Sequence, residues 1–173
     1  MKRSLITLSV VGLMLAGVAG AAVQKGDTEL ELAGSFTYTS FADVDGEDGG
    51  TATLFNVAAG LGYFLTDNIR VGGGVSGAWS SDTSAYGLAV NGKYHFMPAN
   101  QVVPYVGGQF ALGWADAGLA TATTYMYGPV AGLRYELNPN NDFFVEYQFQ
   151  LWSGDAPFDN IHAVVFGIVH QFK

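Results

Sequence analysis

Large apolar side chains alternate with small or polar ones along eight segments of this chain, beginning at Thr28. The pattern is clearest in the seventh segment, where Phe143, Val145, Tyr147, Phe149 and Leu151 alternate with Phe144, Glu146, Gln148 and Gln150. Successive side chains of a β-strand point to opposite faces, so a period of two predicts strands rather than amphipathic helices. The predicted connections are short turns at 66–68, 97–101 and 138–142 and longer loops at 42–50, 81–84, 115–122 and 153–160. This order predicts eight antiparallel strands in an up-and-down arrangement.

The two faces of these strands differ in a way that predicts a closed barrel. The apolar face carries no Asp, Glu, Lys or Arg, and the opposite face consists mostly of Gly, Ala, Ser, Asn and Gln. Small residues suit the crowded interior of a narrow barrel, whereas a soluble sandwich would place Lys and Glu on its outer face. We therefore expect the bulky face to meet lipid, where Lys or Arg at mid-depth costs about 2–4 kcal/mol. Open strand edges in hydrocarbon would leave backbone groups unpaired, so the sheet must close.

Composition is consistent with a lipid-exposed protein. Charged residues make up only 13% of the chain and hydrophobic residues 49%, and the mean hydropathy is +0.22. The formal net charge of −8 argues against a nucleic-acid partner. The absence of cysteine excludes disulfides and thiolate metal sites.

The N-terminus has the layout of a secretory signal peptide. Lys2 and Arg3 form a positive region, residues 5–18 are apolar, and cleavage is expected after Ala21. The alternative is an uncleaved transmembrane anchor over residues 4–23, since that stretch is just long enough to span a bilayer. Small residues at its end favour cleavage. The chain is thus predicted to be exported, with a signal peptide at 1–21 and one barrel domain at 22–173.

Aromatic side chains gather near both ends of the predicted strands, as in the two aromatic girdles of a membrane barrel. At the long-loop end these are the three tryptophans, Trp79, Trp114 and Trp152. At the short-turn end they are Tyr63, Tyr94, Phe96, Tyr135, Phe143 and Phe172.

Several segments resemble the small eight-stranded outer-membrane barrels of Gram-negative bacteria, of the OmpA, OmpX and OmpW type, and the broad porin-like outer membrane protein beta-barrel domain family. These segments are VPYVGG at 103–108, GPVAGLRY at 128–135 and the last strand, which ends in Phe172. The resemblance implies an eight-stranded antiparallel up-and-down transmembrane β-barrel with short periplasmic turns and longer extracellular loops. It also implies an integral protein of the bacterial outer membrane, in contact with its lipid and lipopolysaccharide. The last strand is similar to the signal read by the barrel-assembly machinery.

Six ionisable residues occupy positions of the alternation that face the barrel interior. All lie near the short turns or near the start of the first strand: Glu31, Arg70, Lys93, Arg134, Glu136 and Glu146. One interpretation is a balanced salt-bridge network that fills a narrow polar interior. The other is a gate beneath an outward-opening cup. Eight-stranded interiors are usually filled by side chains, so we do not expect a general diffusion pore.

The long loops contain eight acidic residues and no Lys or Arg. A solvated surface is the simplest interpretation of such a group. Asp43, Asp45, Glu47 and Asp48 form a weak candidate for a divalent-cation site, because the glycine and final glutamate of an EF-hand loop are misplaced there. No cofactor is predicted.

Catalysis has little support in the sequence. Family hydrolases that act on lipid A carry a His-x-Ser pair, which the resemblance would place on a strand, but here His162 is followed by Ala163 and Val164. Ser153, Asp155 and His162 share one predicted rim, yet three polar residues on a loop are common. We predict that the protein is not an enzyme.

A structural role is the function that the sequence favours: an outer-membrane β-barrel that supports the Gram-negative envelope or interacts at the surface through its loops. The alternative is a narrow channel for small or apolar solutes, through the barrel or its wall. A lipid-modifying enzyme ranks third. The sequence identifies no extracellular partner.

Overall fold

The computed structural model describes residues 6–8, 23–40, 51–79, 84–116, 121–154 and 160–172. Its nine strands are β1 (Ile6–Leu8), β2 (Thr28–Ser40), β3 (Thr51–Phe64), β4 (Ile69–Trp79), β5 (Ser84–His95), β6 (Val102–Asp116), β7 (Thr121–Asn138), β8 (Asn141–Gly154) and β9 (Asn160–Phe172). From β2 onward each strand pairs antiparallel with the next, and β2 also pairs with β9. The eight long strands therefore close into a barrel, and the predicted all-β, eight-stranded fold is confirmed.

Only three residues of the predicted signal peptide belong to the described part of the chain. These residues, Ile6–Leu8, form β1 and pair with Ser40, Thr39 and Tyr38 at the end of β2. Cleavage after Ala21 stays a prediction. Residues 23–27 lie at the opposite end of the barrel, where the Gly26 N–H donates to the Phe64 carbonyl.

Short turns define one end of the barrel, called here the turn end. Between β3 and β4, the Thr66 hydroxyl accepts hydrogen bonds from the N–H groups of Asn68 and Ile69, at 3.3 and 3.0 Å. Between β7 and β8, the Asn138 side chain accepts a hydrogen bond from the Asn140 N–H at 3.1 Å. Such side-chain acceptors explain why Asn and Thr favour tight turns.

The opposite end, the loop end, is where segments 41–50, 80–83, 117–120 and 155–159 join the strands. These segments lie outside the described residues. Several of the neighbouring strands, β5 to β9, begin or end inside a loop that the sequence predicted. For example, β6 ends at Asp116 and β7 begins at Thr121, within the loop expected at 115–122.

The barrel buries polar residues and exposes apolar ones. Outward side chains such as Leu61, Val75 and Leu88 are more than half exposed on the outer surface. Among strand residues whose side chains the structure describes, no outward position is Asp, Glu, Lys or Arg. Arg70, Phe64, His95 and Glu29 are the largest fully buried side chains. The interior near the turn end therefore carries most of the barrel's polar chemistry.

Candidate functional site

Five acidic and three basic side chains project into the lumen near the turn end: Glu29, Glu31, Arg70, Lys93, Arg134, Glu136, Asp142 and Glu146. All six residues predicted from the sequence are among them. Glu29 and Asp142 were missed, so the predicted balance of three acids and three bases is wrong. Ion pairs connect the following residues into what we call the lumen charge network: Glu29, Glu31, Arg70, Lys93, Arg134, Asp142 and Glu146.

Glu29 lies at the centre of the lumen charge network, with its side chain only 1% exposed. One carboxylate oxygen accepts a hydrogen bond from Nε of Arg70, and the other accepts one from Nη1 of Arg134 at 2.7 Å. These three side chains come from β2, β4 and β7, which are not neighbours in the barrel wall. The two ion pairs therefore connect opposite parts of the wall across the lumen.

Arg70 is fully engaged by the surrounding strands. Its Nη1 donates to the side-chain oxygen of Asn91 at 2.7 Å, and its Nη2 donates to Glu31 at 3.0 Å. Glycine makes this placement feasible, because a Cβ on Gly62 would overlap the Arg70 guanidinium. The inward glycine of β3 thus provides the volume that the arginine of β4 occupies.

Arg134 extends the network toward the last two strands. Its Nε donates to Oδ2 of Asp142, and the same oxygen accepts a hydrogen bond from the Gln171 amide at 2.8 Å. Arg134, Asp142 and Gln171 are each at most 4% exposed. Strands β7, β8 and β9 are therefore tied together inside the lumen as well as by their backbones.

Lys93 forms the other limb of the network. Its Nζ lies 2.7 Å from Glu146 and 3.6 Å from Glu31. The same ammonium lies 5.0 Å from the ring centre of Tyr105 and 5.6 Å from that of Phe144, within cation–π range. The lysine is thus held by two carboxylates and two aromatic faces.

Aromatic rings fill the space between the charged groups. The ring centres of Phe64 and His95 are 5.2 Å apart, and those of His95 and Tyr105 are 5.3 Å apart. The Arg134 guanidinium lies 5.9 Å from the ring centre of Phe64. Charged and aromatic side chains thus pack against each other in the turn half of the lumen. Breaking one partner of such a buried pair is costly, because it leaves the other charge uncompensated.

A column of hydrogen bonds continues from this network toward the loop end, along the inward face of β8. The Gln148 amide donates to Glu146 at 2.7 Å, and the Gln150 amide donates to Gln148 at 2.7 Å. Trp152 then donates from Nε1 to Gln150 at 3.2 Å. The upper lumen therefore has a continuous polar strip on one side.

A barrel with a charged interior and an uncharged outer surface is suited to lipid, and comparison with known families gives a match. A family model described as "Outer membrane protein beta-barrel domain" matches residues 8–172. The chain belongs to this family. Among curated proteins, the sequence has no match.

Solved structures share the fold of this outer-membrane barrel. Neisserial surface protein A (NspA) aligns with a TM-score of 0.65 at 19% identity, covering 86% of this chain and 97% of that one. The N-terminal β-barrel domain of Pseudomonas aeruginosa OprF aligns with a TM-score of 0.63 at 18% identity, covering 86% and 99%. The fold and the outer-membrane location of the family thus agree with the sequence predictions.

Six predicted girdle residues of this outer-membrane barrel lie at the turn end, on or beside the lipid-facing surface: Tyr63, Tyr94, Phe96, Tyr135, Phe143 and Phe172. Tyr94 and Phe96 pack edge to face, with ring centres 5.0 Å apart. At the loop end, Trp79 and Trp114 also lie on the outer surface.

Trp152 does not belong to the outer girdle, which corrects the sequence prediction. Its indole lies on the inward face of β8, in register with Met126 of β7. The alternation of β8 continues past Leu151, so the next position faces the lumen even though it is a large aromatic. Gln150 accepts a hydrogen bond from the indole N–H, which satisfies the polar end of this half-buried tryptophan.

The residues of the remaining candidate sites are not brought together within the described part of the chain. Asp43, Asp45, Glu47 and Asp48 lie outside the described residues, as does Asp155. His162 is in register with Phe149, four residues along β8 from Ser153, which corresponds to about 13 Å of strand. Instead, His162 pairs its Nδ1 with the hydroxyl of Tyr147 on the outer surface.

Within the described part of the chain, no group of three or more His, Cys, Asp or Glu residues has a geometry that would hold a metal ion. The same part of the chain also contains no helix long and apolar enough to cross a membrane.

Proposed function

We propose that this protein is an outer-membrane β-barrel with a structural and surface-interaction role in the Gram-negative envelope, and that its lumen is closed to general diffusion. The observation that carries the proposal is the lumen charge network. Glu29 joins Arg70 and Arg134 across the lumen, and Phe64, His95, Tyr105 and Phe144 fill the gaps between the charges. Side chains paired across the lumen in this way would obstruct a continuous water path for ions or solutes. The proposal includes no catalytic activity.

The orientation and partners in this proposal follow the family pattern of short periplasmic turns and extracellular loops. The lumen charge network then lies in the periplasmic half, and the acidic loops meet lipopolysaccharide and the medium. The outward ring of Phe172 packs edge to face against His170, with ring centres 4.8 Å apart. We assign this end of β9 to recognition by the barrel-assembly machinery, after export with the predicted signal peptide.

A narrow gated channel is the second candidate function. It is favoured because the side chains that cross the lumen are charged rather than apolar. Ion pairs, unlike an apolar plug, can exchange partners between two arrangements. Lys93 already lies near two carboxylates, at 2.7 Å from Glu146 and 3.6 Å from Glu31. Above it, Gln148 and Gln150 provide a polar path toward the loop end.

Ion conductance in planar bilayers distinguishes these two candidates. For a structural barrel, we expect the purified wild-type protein and the Glu146→Gln variant to give no current steps, because the Glu29 ion pairs still cross the lumen. For a gated channel, Glu146→Gln frees Lys93 from its closest partner and raises the open probability. Asn56→Ala, which changes a lumen position outside the lumen charge network, is the matched control.

Folding of each variant is checked by its resistance to urea before the recordings. Current steps from the folded wild-type protein would overturn the closed-lumen proposal. Steps from folded Glu146→Gln alone, absent from Asn56→Ala, would replace it with the gated channel.

A further inference from the structure

Two carboxylates lie opposite each other inside the turn end of the barrel. Glu136 of β7 and Asp142 of β8 are register partners at inward positions, and they are 8% and 2% exposed. Opposite residues of an antiparallel pair have Cβ atoms about 4.5–5.5 Å apart, and like charges at such positions are destabilising. Both carboxylates stay ionised in a buried site only if a positive charge lies close to them.

Arg134 supplies only part of this positive charge. Its Nε donates to Oδ2 of Asp142, but its Nη1 donates to Glu29, which it shares with Arg70. Among the described lumen side chains, five carboxylates are accompanied by three cationic groups, which leaves two negative charges in excess. Buried charge is costly unless it is paired, and one divalent cation would neutralise this excess.

Two buried oxygen atoms at this place have no hydrogen-bond partner among the described residues: Oδ1 of Asp142 and Oε1 of Gln171. Gln171 of β9 is 2% exposed, and its Nε2 donates to Oδ2 of Asp142 at 2.8 Å. The amide oxygen is bonded to the same carbon atom as that nitrogen, so it lies close to the same carboxylate. Buried polar atoms in folded proteins nearly always have a partner, so these two acceptors indicate a bound partner.

The chemistry of these side chains selects the kind of ligand. Two carboxylates and one amide offer oxygen atoms only, which suit hard divalent cations such as Ca²⁺ and Mg²⁺. Calcium accepts carboxylate and amide oxygens in irregular geometry and completes a shell of about six to eight ligands with water. Glu136, the most exposed of the three residues, lies two positions before the end of β7, so an ion reaches it from the water at the turn end.

We propose that Glu136, Asp142 and Gln171 form a buried divalent-cation site at the turn end, which takes calcium and joins β7, β8 and β9 from inside the lumen. The site contains two acidic residues and an amide, which distinguishes it from a cluster of three or more acidic side chains. An ion that binds the folded barrel but not the unfolded chain stabilises the fold in proportion to its occupancy. The site does not depend on whether the lumen conducts ions.

Calcium binding is tested on the whole protein, in phosphatidylcholine vesicles from which metal has been removed with EDTA. In equilibrium dialysis, we expect the wild-type protein to bind one more calcium ion per chain than Glu136→Gln. Calcium should raise the urea midpoint of the wild-type protein to a plateau and leave that of Glu136→Gln unchanged. Glu31→Gln removes another lumen carboxylate and keeps the three ligands, so this matched control should respond as the wild type does.

The Glu136→Gln variant is expected to fold, because it keeps the shape of the side chain and lies outside the lumen charge network. Without calcium, its urea midpoint should equal or exceed that of the wild-type protein, since the substitution removes repulsion between two carboxylates. A lower midpoint without calcium would show that the Glu136 carboxylate is compensated by the chain itself, which would overturn the site.

The other outcomes identify other sources of an effect. Equal calcium responses in the wild-type protein and Glu136→Gln would place the binding in the acidic loops and overturn the buried site. A wild-type protein that ignores calcium, but gains stability on acidification only while Glu136 is present, would hold a shared proton instead of a cation, which also overturns the proposal. The absence of both responses would overturn it as well. Ion conductance reports separately on the closure of the lumen.

Discussion

At the scale of single residues, Glu29 has the largest role in the interior of the barrel. It is the only member of the lumen charge network, among the described residues, that pairs with both arginines. Two guanidinium groups in a buried site repel each other unless a carboxylate lies between them, and the interaction is strong because little water screens it. Glu29 thus makes the placement of Arg70 and Arg134 in one lumen energetically acceptable.

Replacing Glu29 with Gln should therefore destabilise the barrel substantially. We expect a loss of about 3–5 kcal/mol in the free energy of unfolding, the usual effect of removing one partner from a buried ion pair. Urea titration of the protein in phospholipid vesicles measures the change. The matched control is Glu31→Gln, for which a clearly smaller loss is expected, because Arg70 keeps Glu29 and Lys93 keeps Glu146. Equal losses in the two variants would contradict the central role of Glu29.

The two residues of the lumen charge network that were not predicted, Glu29 and Asp142, lie at the second position of their strands. Glu29 is the second residue of β2 and shares the inward phase of Glu31. Asp142 was assigned to a turn, although it is two positions before Phe144 on the inward face of β8. Reading the inward phase from Thr28 onward would have found Glu29, and starting the seventh segment one residue earlier would have found Asp142. Asp142 pairs with Arg134 of the neighbouring strand, whereas the partners of Glu29 could not be predicted, because pairing across the lumen depends on barrel closure.

At the scale of the strand, the position of a residue in the inward–outward alternation determines whether its side chain faces the lumen or the outer surface. This holds even where the residue type favours the other side. Trp79 lies on the outer face of β4 and Trp114 on that of β6, whereas Trp152 lies on the inner face of β8. Residue type and position near the loops had predicted all three in the outer girdle. Strand phase was the stronger signal, because a one-residue shift reverses the face of every side chain in a strand.

Tryptophan fluorescence should separate these two environments. Phospholipids brominated on their acyl chains quench indoles that contact lipid. In variants that keep one tryptophan and replace the other two by Phe, we expect strong quenching of Trp79 and Trp114 and weak quenching of Trp152. Quenching of Trp152 equal to that of Trp79 would place its indole in lipid and contradict the hydrogen bond to Gln150.

At the scale of the whole molecule, the sequence predicted the closed barrel because each strand carries the same uncharged apolar face. Strand number and order follow from counting alternating segments, and the family match over residues 8–172 agrees with them. The extent of the β2–β9 pairing, which runs from Thr28 and Phe172 to Gly34 and Phe166, was not predictable in this way. Alternation in β2 and β9 says which face each residue presents, but contains no information on how far two distant strands remain paired.

The orientation of the barrel in the membrane determines on which side the lumen charge network and the loops lie. Surface labelling can test this orientation. A cysteine in place of Asp45, in the acidic segment 41–50, should react on intact cells with a maleimide that cannot cross the outer membrane, because loops of this family type face the medium. A cysteine in place of Ala99, exposed in the turn between β5 and β6, should react only after the outer membrane is permeabilised. The reverse result would place the lumen charge network just beneath the cell surface and contradict the orientation expected from the family pattern of short periplasmic turns and extracellular loops.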